Sequence, residues 1–461
     1  MRRIAATLTA FALVIAAAGC SGGGASQPQS ASADVSAAQA SASAPSAPAG
    51  SEKVWHYEVK TENYSNEYKN GNGELMASVN YEYPVLAAVD EDGRIYDGEG
   101  EAPSKEMLDA CEAFNSVLVE SDFEDAFNGL CKMADENLKL SEEYGGFFSP
   151  CFEELSIDSV YMTGSMASVD GSVYSYWGGA HPDGGKITFN FDLEEGDFFE
   201  LDDLTDEPEN MRRLISDRIL DEIYEDSYDV GLFEGFEEEV YALNEIEYSF
   251  NENGLGVTFP EYTIGPHAAG LPYFEIPYDL FAGCLNERGL RLLELPQETL
   301  ILADFHEAQQ IWDYFNMTTM PLDYYDAVEQ GDYTYCRVDW RGISTMTELR
   351  ALLETRFSDD ITDKLLDPDD IHYREIDGVL RATDAARGAD ISRGGAEYSV
   401  ELNGNKGKVT AVVEEYDLDA EPEYDEQRGD YFWPLAGHVT IEFPFTLSDS
   451  GARFEHFESI W

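Results

Sequence analysis

The sequence predicts an α+β protein of two modules, each an antiparallel sheet packed with helices, behind a signal peptide and a disordered tether. Three patterns indicate this class. Segments rich in Tyr and Val alternate apolar and polar residues, as strands do. Other segments repeat apolar residues at helical spacing. The N-terminal residues have neither pattern, and helices packed on antiparallel sheets are the α+β arrangement.

Residues 1–20 are predicted to be a lipoprotein signal peptide. Two arginines follow the initiator methionine, and the apolar run behind them is shorter than the roughly 20 residues that cross a bilayer. The run ends in Ala-Ala-Gly-Cys, which resembles a bacterial lipobox, whose cysteine carries a lipid. We therefore expect a lipid on Cys20 and a location at the bacterial cell surface, on the outer face of the cytoplasmic membrane. The alternative is an ordinary signal peptide, cleaved nearby to release the protein.

Residues 21–50 are predicted to be a disordered tether of alanine, serine, glycine and proline. Asp34 is the only charged residue in this segment, which has no aromatic residue. Such a composition buries too little apolar surface to offset the entropy lost on ordering. The tether would hold the folded modules a short distance above the membrane.

The first module is expected at 51–295, with an N-terminal part at 51–165 and a C-terminal part at 166–295. The N-terminal part opens with strands in VWHYEVKTENYSN and ELMASVNYEYPVLAAV. Apolar residues then take helical spacing from Ser104 to about Leu140.

In the C-terminal part, a strand pair and the strand KITFNF precede a helix that is expected to open at Asp206, with Glu209 in a capping box. Asn253-Gly254 then marks a hairpin turn between later strands.

The second module is expected at 296–461. A helix in LILADFHEAQQIWDYFN begins it, and a second helix runs from about Thr345 to Phe357, where Thr345 and Glu348 form a capping box. Alternating segments follow, among them EYSVELN, KVTAVVEEYD, HVTIEFPFTL and RFEHFESIW. These predict a sheet packed with helices.

The net charge is −65, from 93 acidic and 28 basic residues. Nucleic acid and anionic lipid headgroups are therefore poor partners. A cationic protein would be attracted, more strongly at low salt. Solubility or adaptation to salt explains the same charge without a partner, so charge alone does not identify one.

The sequence lacks the residue spacings that are typical of common catalytic, metal-binding and phosphate-binding sites. No two of the seven histidines stand four apart, and the sequence has no CxxC, GxSxG or phosphate-binding loop. We therefore expect no catalytic residue, no metal and no cofactor. Disulfide pairing stays open among Cys111, Cys131, Cys151, Cys284 and Cys336.

One segment, YWGGAHPDGG at 176–185, has the composition of a functional loop. Two glycine pairs allow backbone angles barred to other residues, and Pro182 fixes one angle between them. The loop is interpreted first as a rigid structural corner. A binding edge that uses Tyr176 and Trp177 is the second interpretation, because aromatic residues anchor interfaces. A catalytic His181 is the third, and it lacks a neighbouring base, metal ligand or nucleophile in the sequence.

The order of motifs adds a resemblance over about 55–290. GGAHP, the strand ending FDLEEGDFFELDDL, an amphipathic helix and then GLGVTFPEYTIGPHAAGLPYFEIPYDLF resemble the extracytoplasmic domain of RsiV-like proteins. That module also stands before the catalytic domain of some peptidoglycan deacetylases, and some members bind host lysozyme. The resemblance adds Pro266 and His267 as candidate binding residues, although this family more often has an aromatic residue after the proline. The sequence lacks the anti-sigma segment and the deacetylase metal motif, so only the binding module is expected to carry over.

The last module has its own resemblance. YTYCRVDWRGISTMTELRALLETRFSDDITDKLL, followed by YREIDGVLRATDAARGADIS, is similar to the IseA family of cell-wall endopeptidase inhibitors and to broader nuclear-transport-factor-like folds. Together the observations predict a non-catalytic, lipid-anchored surface protein that engages lysozyme or another peptidoglycan hydrolase as inhibitor or sensor. The alternative is a peptidoglycan-binding or peptidoglycan-modifying accessory enzyme.

Overall fold

The computed structural model describes residues 53–225, 231–367, 372–384, 388–425 and 430–461. The chain divides into two compact units. Among the described residues, the first unit comprises those up to Ser159 together with Gly171–Gly184 and Leu193–Phe198. The second comprises those in Val160–Asp170, Gly185–Asp192 and Phe199–Trp461. The predicted signal peptide, the tether and the lipid site at Cys20 lie outside the described residues. None of the described helices combines the length and the apolar composition that a membrane span requires.

The elements are numbered in chain order. The helices are α1 (Lys105–Asn115), α2 (Glu120–Tyr144), α3 (Pro208–Glu225), α4 (Phe236–Ala242), α5 (Tyr278–Phe281), α6 (Glu287–Leu293), α7 (Gln297–Asn316), α8 (Met346–Arg356) and α9 (Asp359–Leu365). The strands are β1 (Trp55–Lys69), β2 (Leu75–Asp90), β3 (Cys151–Met162), β4 (Met166–Tyr176), β5 (Asp183–Asp192), β6 (Asp197–Phe198), β7 (Glu247–Phe250), β8 (Gly254–Thr258), β9 (Tyr273–Pro277), β10 (Leu322–Gln330), β11 (Tyr333–Val338), β12 (Tyr373–Ile376), β13 (Val379–Ala382), β14 (Arg393–Asn403), β15 (Lys406–Tyr416), β16 (Glu423–Asp425), β17 (Asp430–Phe432), β18 (Leu435–Ser448) and β19 (Gly451–Phe454).

The predicted α+β class is confirmed, since helices accompany several antiparallel sheets. The strand orders are β1-β2-β3-β4-β5-β6, β7-β8-β9, β10-β11-β13-β12, β14-β15-β18-β19 and the pair β16-β17. One pair departs from the antiparallel expectation, because β2 and β3 run parallel with Ala77 opposite Cys151. Parallel neighbours need a long crossover connection, and the segment with α1 and α2 supplies it.

Helical structure occupies the segment from Ser104 to about Leu140 as its apolar spacing predicts, and it is divided into two helices, α1 and α2. Ser104 caps α1, its side chain accepting a hydrogen bond from the N–H of Met107. The break comes before α2, where Val119 has extended backbone angles (φ −121°, ψ 149°). Buried Leu118 keeps the apolar spacing across the break, so periodicity does not reveal it.

The core of the first unit includes the long antiparallel pair of β1 and β2, which starts with Trp55 opposite Asp90. Ala77, Val79 and Tyr81 of β2 are buried, and the ring of Tyr81 lies 5.0 Å from that of Phe123 on α2. This contact packs α2 on the sheet.

In the second unit, α3 contributes its apolar stripe to a core shared with β7, β8 and β9. The helix begins at Pro208, two residues later than the predicted start at Asp206. The predicted hairpin turn lies between β7 and β8, where the side chain of Asn251 accepts hydrogen bonds from the N–H groups of Asn253 (2.7 Å) and Gly254 (3.1 Å). Buried members of this core include Met211, Ile215, Ile219, Phe250, Leu255, Val257 and Phe274.

Residues 296–461 form a second core around Phe305 of α7, whose ring lies 4.9 Å from Phe443 and 5.7 Å from Phe454. The capping box predicted at Thr345 and Glu348 is confirmed at the start of α8. The last strand is shorter than predicted. It ends at Phe454, and the chain beyond it buries side chains without strand pairing.

A network of half-buried charges also lies in the second unit. Arg341 contacts Glu207 at 2.7 Å and also Glu307. Arg356 contacts Glu307 too, and lies 2.9 Å from Asp304. Burial raises the pKa of Asp304 to about 6, against the opposing effect of Arg356. The arginines therefore compensate carboxylates that would be costly to bury alone.

Candidate functional site

The predicted loop begins as a tight corner at the end of β4 in the first unit. Gly178 (φ 104°) and Gly179 (φ 136°) both have backbone angles that favour glycine. Asn137 of α2 fills the space beside Gly178 and donates a hydrogen bond to the backbone carbonyl of Trp177 at 2.8 Å. A Cβ atom on Gly178 would lie 2.2 Å from the amide nitrogen of Asn137. The first glycine of the pair is therefore required by a close contact as well as by its backbone angle.

The side chain of Trp177 is tied to a buried carboxylate. Its indole Nε1–H donates to Glu153 of β3 at 3.1 Å, and the Tyr81 hydroxyl donates to the other carboxylate oxygen at 2.8 Å. Glu153 is 3% exposed. Burial raises its pKa, while the two hydrogen bonds act in the opposite direction. Trp177 thus helps to satisfy a buried polar group, and its ring also lies against Gly129.

His181 lies on the surface of the same unit. Its Nδ1 is 2.9 Å from the backbone carbonyl oxygen of Pro182 and 3.5 Å from Asp183 Oδ1. Since a carbonyl oxygen only accepts hydrogen bonds, Nδ1 carries the proton in this contact. The imidazole therefore bonds the loop's own backbone.

An aromatic face lies on the outer side of β3 and β4 in the first unit. The ring of Phe152 is 5.5 Å from Tyr174 and 6.2 Å from Tyr176. Tyr174 is 48% exposed. The same side of β3 carries the exposed carboxylates of Glu154 and Asp158. We call these five residues the aromatic face. It combines the ring types that anchor interfaces with negative charge.

The hydroxyl of Tyr176 connects this face to the glycine corner. It donates to the backbone carbonyl of Gly179 at 3.1 Å. Trp177 is directed to the buried carboxylate, whereas Tyr176 belongs to the face. The two aromatic residues, predicted together as a binding edge, therefore have different surroundings.

The other two candidate residues lie in the second unit, in the turn between β8 and β9. Pro266 precedes a short 3₁₀ turn that begins at His267. The His267 ring stacks on Tyr262 with centroids 5.9 Å apart, and its Nδ1 lies 2.7 Å from Glu261 Oε2. Tyr262 has a positive φ of 66° and is 54% exposed. A non-glycine residue in this conformation is uncommon and often marks a functional turn.

The described cysteines Cys111, Cys131, Cys151, Cys284 and Cys336 are free thiols. Burial raises the pKa of Cys111 and of Cys284 to about 11. Both thiols are therefore protonated at neutral pH, which is the less nucleophilic form.

Three residues of these surroundings were missed by the sequence analysis. Glu153 gave a signal, because it stands between Cys151 and Leu155 at an inward position of a strand, where a carboxylate is unusual. Asn137 gave none, since asparagine on a helix is ordinary. The backbone angle of Tyr262 cannot be read from its residue type.

Part of the second unit matches a family model. Residues 202–279, which include α3, the β7-β8-β9 sheet and the Pro266–His267 turn, match the family model described as a protein of unknown function, DUF3298. No curated protein matches the chain.

Two solved structures are similar. One is a crystal structure of a DUF3298 family member from Bacteroides fragilis. The alignment covers 51% of this chain and 95% of that chain, with 14% sequence identity and a TM-score of 0.39. The other is a crystal structure of a DUF3298 family protein from Pseudomonas aeruginosa. The alignment covers 50% of this chain and 94% of that chain, with 12% sequence identity and a TM-score of 0.31.

Proposed function

We propose that the protein is a non-catalytic, lipid-anchored cell-surface binding protein whose partner is a cationic protein, such as lysozyme or another peptidoglycan hydrolase. The observation that carries the proposal is the aromatic face, where Phe152, Tyr174 and Tyr176 stand beside carboxylates. Aromatic clusters at a protein surface supply a large contact area at low entropic cost when a partner covers them.

The charge of the chain supports a basic partner. With 93 acidic residues against 28 basic ones, the protein attracts cations from a distance and repels nucleic acid. Peptidoglycan is reached from outside the cytoplasmic membrane, where the lipobox-like sequence at Cys20 would anchor the protein. The tether at 21–50 would allow the modules to move above that surface.

The RsiV-like and IseA-like resemblances support a more specific form of the proposal. In that form, 51–295 is an RsiV-like module and 296–461 is an IseA-like or nuclear-transport-factor-like module. The first resemblance supports lysozyme as the ligand, and the second supports inhibition of a cell-wall hydrolase. A peptidoglycan-binding or peptidoglycan-modifying role is the alternative.

A paired experiment separates the two functions. The chain from residue 21 onwards is immobilised and incubated with lysozyme at low and high salt, and separately with purified cell wall. The proposal expects lysozyme to be retained at low salt and released at high salt, with no muropeptides set free from the wall. Retention of cell wall with release of soluble fragments would support the accessory enzyme instead, and a substitution of His181 would then show whether the imidazole takes part.

A further inference from the structure

Exposed large apolar side chains are concentrated in one short segment of the second unit, between β15 and β18. Its exposed members are Leu418, Tyr424, Tyr431, Phe432, Trp433 and Leu435. Isolated exposed apolar residues are normal on a protein surface, whereas a cluster of them marks an interaction surface. We call the described residues 417–425 and 430–435 the aromatic arm.

Backbone pairing gives the aromatic arm a defined geometry. Strands β15 and β18 pair as far as Tyr416 opposite Leu435, and the N–H of Asp417 then donates to the carbonyl of Pro434 at 2.9 Å. Beyond this point, β16 and β17 pair antiparallel. Tyr424 and Tyr431 are direct cross-strand partners with ring centroids 5.0 Å apart. The two tyrosine rings are therefore held by paired strands, which reduces the entropy lost when a partner orders them.

Acidic residues occupy every second position of the segment that leads from β15 into β16. Asp417, Asp419, Glu421 and Glu423 are all exposed. Over 417–433 the sequence has seven acidic residues and a single arginine. Aromatic rings attract lysine and arginine through cation–π contacts, and carboxylates beside them attract the same side chains. Both features select a positively charged surface.

Other occupants fit this charge less well. An anionic membrane surface would be repelled by the carboxylates, although aromatic residues often lie at membrane interfaces. A second copy of the chain would bring an equally acidic arm against the first one, which like charges oppose.

We propose that the aromatic arm is a docking surface for a lysine- and arginine-rich face of a partner protein. This inference deepens the proposed function and rests on it, since it gives the cationic partner a contact within 296–461 in addition to the aromatic face of the first unit.

The test compares matched double variants of the chain from residue 21 onwards, titrated with lysozyme and with a synthetic peptide rich in lysine and arginine. Phe432→Ser with Trp433→Ser removes two exposed rings of the arm. Tyr324→Ser with Tyr325→Ser, an exposed pair on β10 (62% and 103% exposed), is the control. We expect the arm variant to raise the Kd for lysozyme by about 30-fold and the control to leave it unchanged.

A second arm variant, Glu421→Gln with Glu423→Gln, leaves the rings in place and should weaken the salt dependence of binding. Thermal unfolding of each variant confirms that it folds.

If the wild-type protein binds lysozyme but neither arm variant changes the Kd, the docking inference is overturned while the proposed function survives. If wild type binds the basic peptide through the arm but does not bind lysozyme, the proposed function fails and the arm's preference for cations stands. Binding of neither probe, or self-association or capture by anionic vesicles that depends on the arm, overturns the inference.

Discussion

In the first unit, the indole Nε1–H of Trp177 donates a hydrogen bond to the buried carboxylate of Glu153 at 3.1 Å. Glu153 also accepts from Tyr81, so two donors from different elements converge on one side chain. This hydrogen bond fixes the side chain of Trp177. The preceding residue, Tyr176, belongs to the aromatic face. The glycine corner can therefore shape a binding surface without taking part in chemistry.

The first prediction concerns the pH dependence that Glu153 imposes. Burial raises the pKa of its carboxyl above the ordinary value of 4.5. Because this pKa is higher in the folded protein, the folded state binds more protons than the unfolded state between about pH 4.5 and the raised pKa. The free energy of unfolding therefore falls as pH rises through that window. Glu153→Gln removes the titrating group, and its amide can still accept from Trp177 and donate to Tyr81.

Urea unfolding of wild type and Glu153→Gln across a pH series measures this effect. We expect wild type to lose stability relative to the variant as pH rises through the window. Glu154→Gln changes the exposed neighbour on the same strand and should leave the pH dependence unaltered. Parallel curves for wild type and Glu153→Gln would show that the carboxyl is not perturbed in the folded protein.

The second prediction concerns the close contact at Gly178. Gly178→Ala adds a methyl group at the Asn137 amide and strains the backbone, so we expect a loss of about 2–4 kcal/mol of unfolding free energy. Gly179→Ala strains the backbone alone, because its added Cβ atom would meet nothing within 4 Å, and should cost about 1–3 kcal/mol. Gly71→Ala also adds a methyl group into open space, at a glycine without a positive φ, and serves as the neutral control. Chemical denaturation that gives Gly178→Ala the same stability as Gly71→Ala would contradict the structural role of the corner.

The predictability of these features depends on whether they are local. The capping box at Thr345 follows from residues three apart, and the structure has it. The break between α1 and α2 does not follow, because Leu118 continues the apolar spacing through it. The parallel pairing of β2 with β3 depends on a crossover, which strand patterns do not record.

The candidate site shows the same limit. Glycine pairs indicated a corner, but the residue that makes Gly178 necessary is Asn137, on a helix that lies far away in the sequence. The pairing of Tyr176 and Trp177 suggested one binding edge. Strand alternation offers the physical reason for their different surroundings, because successive side chains of a strand point to opposite faces.

The third prediction concerns the charge network of the second unit. Arg356 is 11% exposed and contacts Asp304, which is 13% exposed. Removing one partner leaves buried charge unpaired, so Arg356→Ala should cost about 3–5 kcal/mol. Arg350 lies on the same helix but is 43% exposed, and Arg350→Ala should cost less than about 1 kcal/mol. Equal losses for the two variants in urea unfolding would mean that burial does not strengthen the network.

The fourth prediction concerns the aromatic face. Tyr174→Ser removes its most exposed ring without touching Glu153, and we expect the Kd for lysozyme to rise about tenfold, equivalent to about 1.4 kcal/mol. Tyr325→Ser removes an exposed tyrosine of the second unit and is the control. Calorimetric titration of both variants checks the expectation, and a Kd unchanged by Tyr174→Ser would remove the face from the binding surface.

The central claim is that this acidic protein binds a cationic protein. Its most direct test is a calorimetric titration of the wild-type chain, from residue 21 onwards, with lysozyme over a range of ionic strengths. The account predicts saturable binding at low salt whose Kd rises steadily as salt screens the charges. Heats that stay at the level of dilution even at the lowest salt would contradict it.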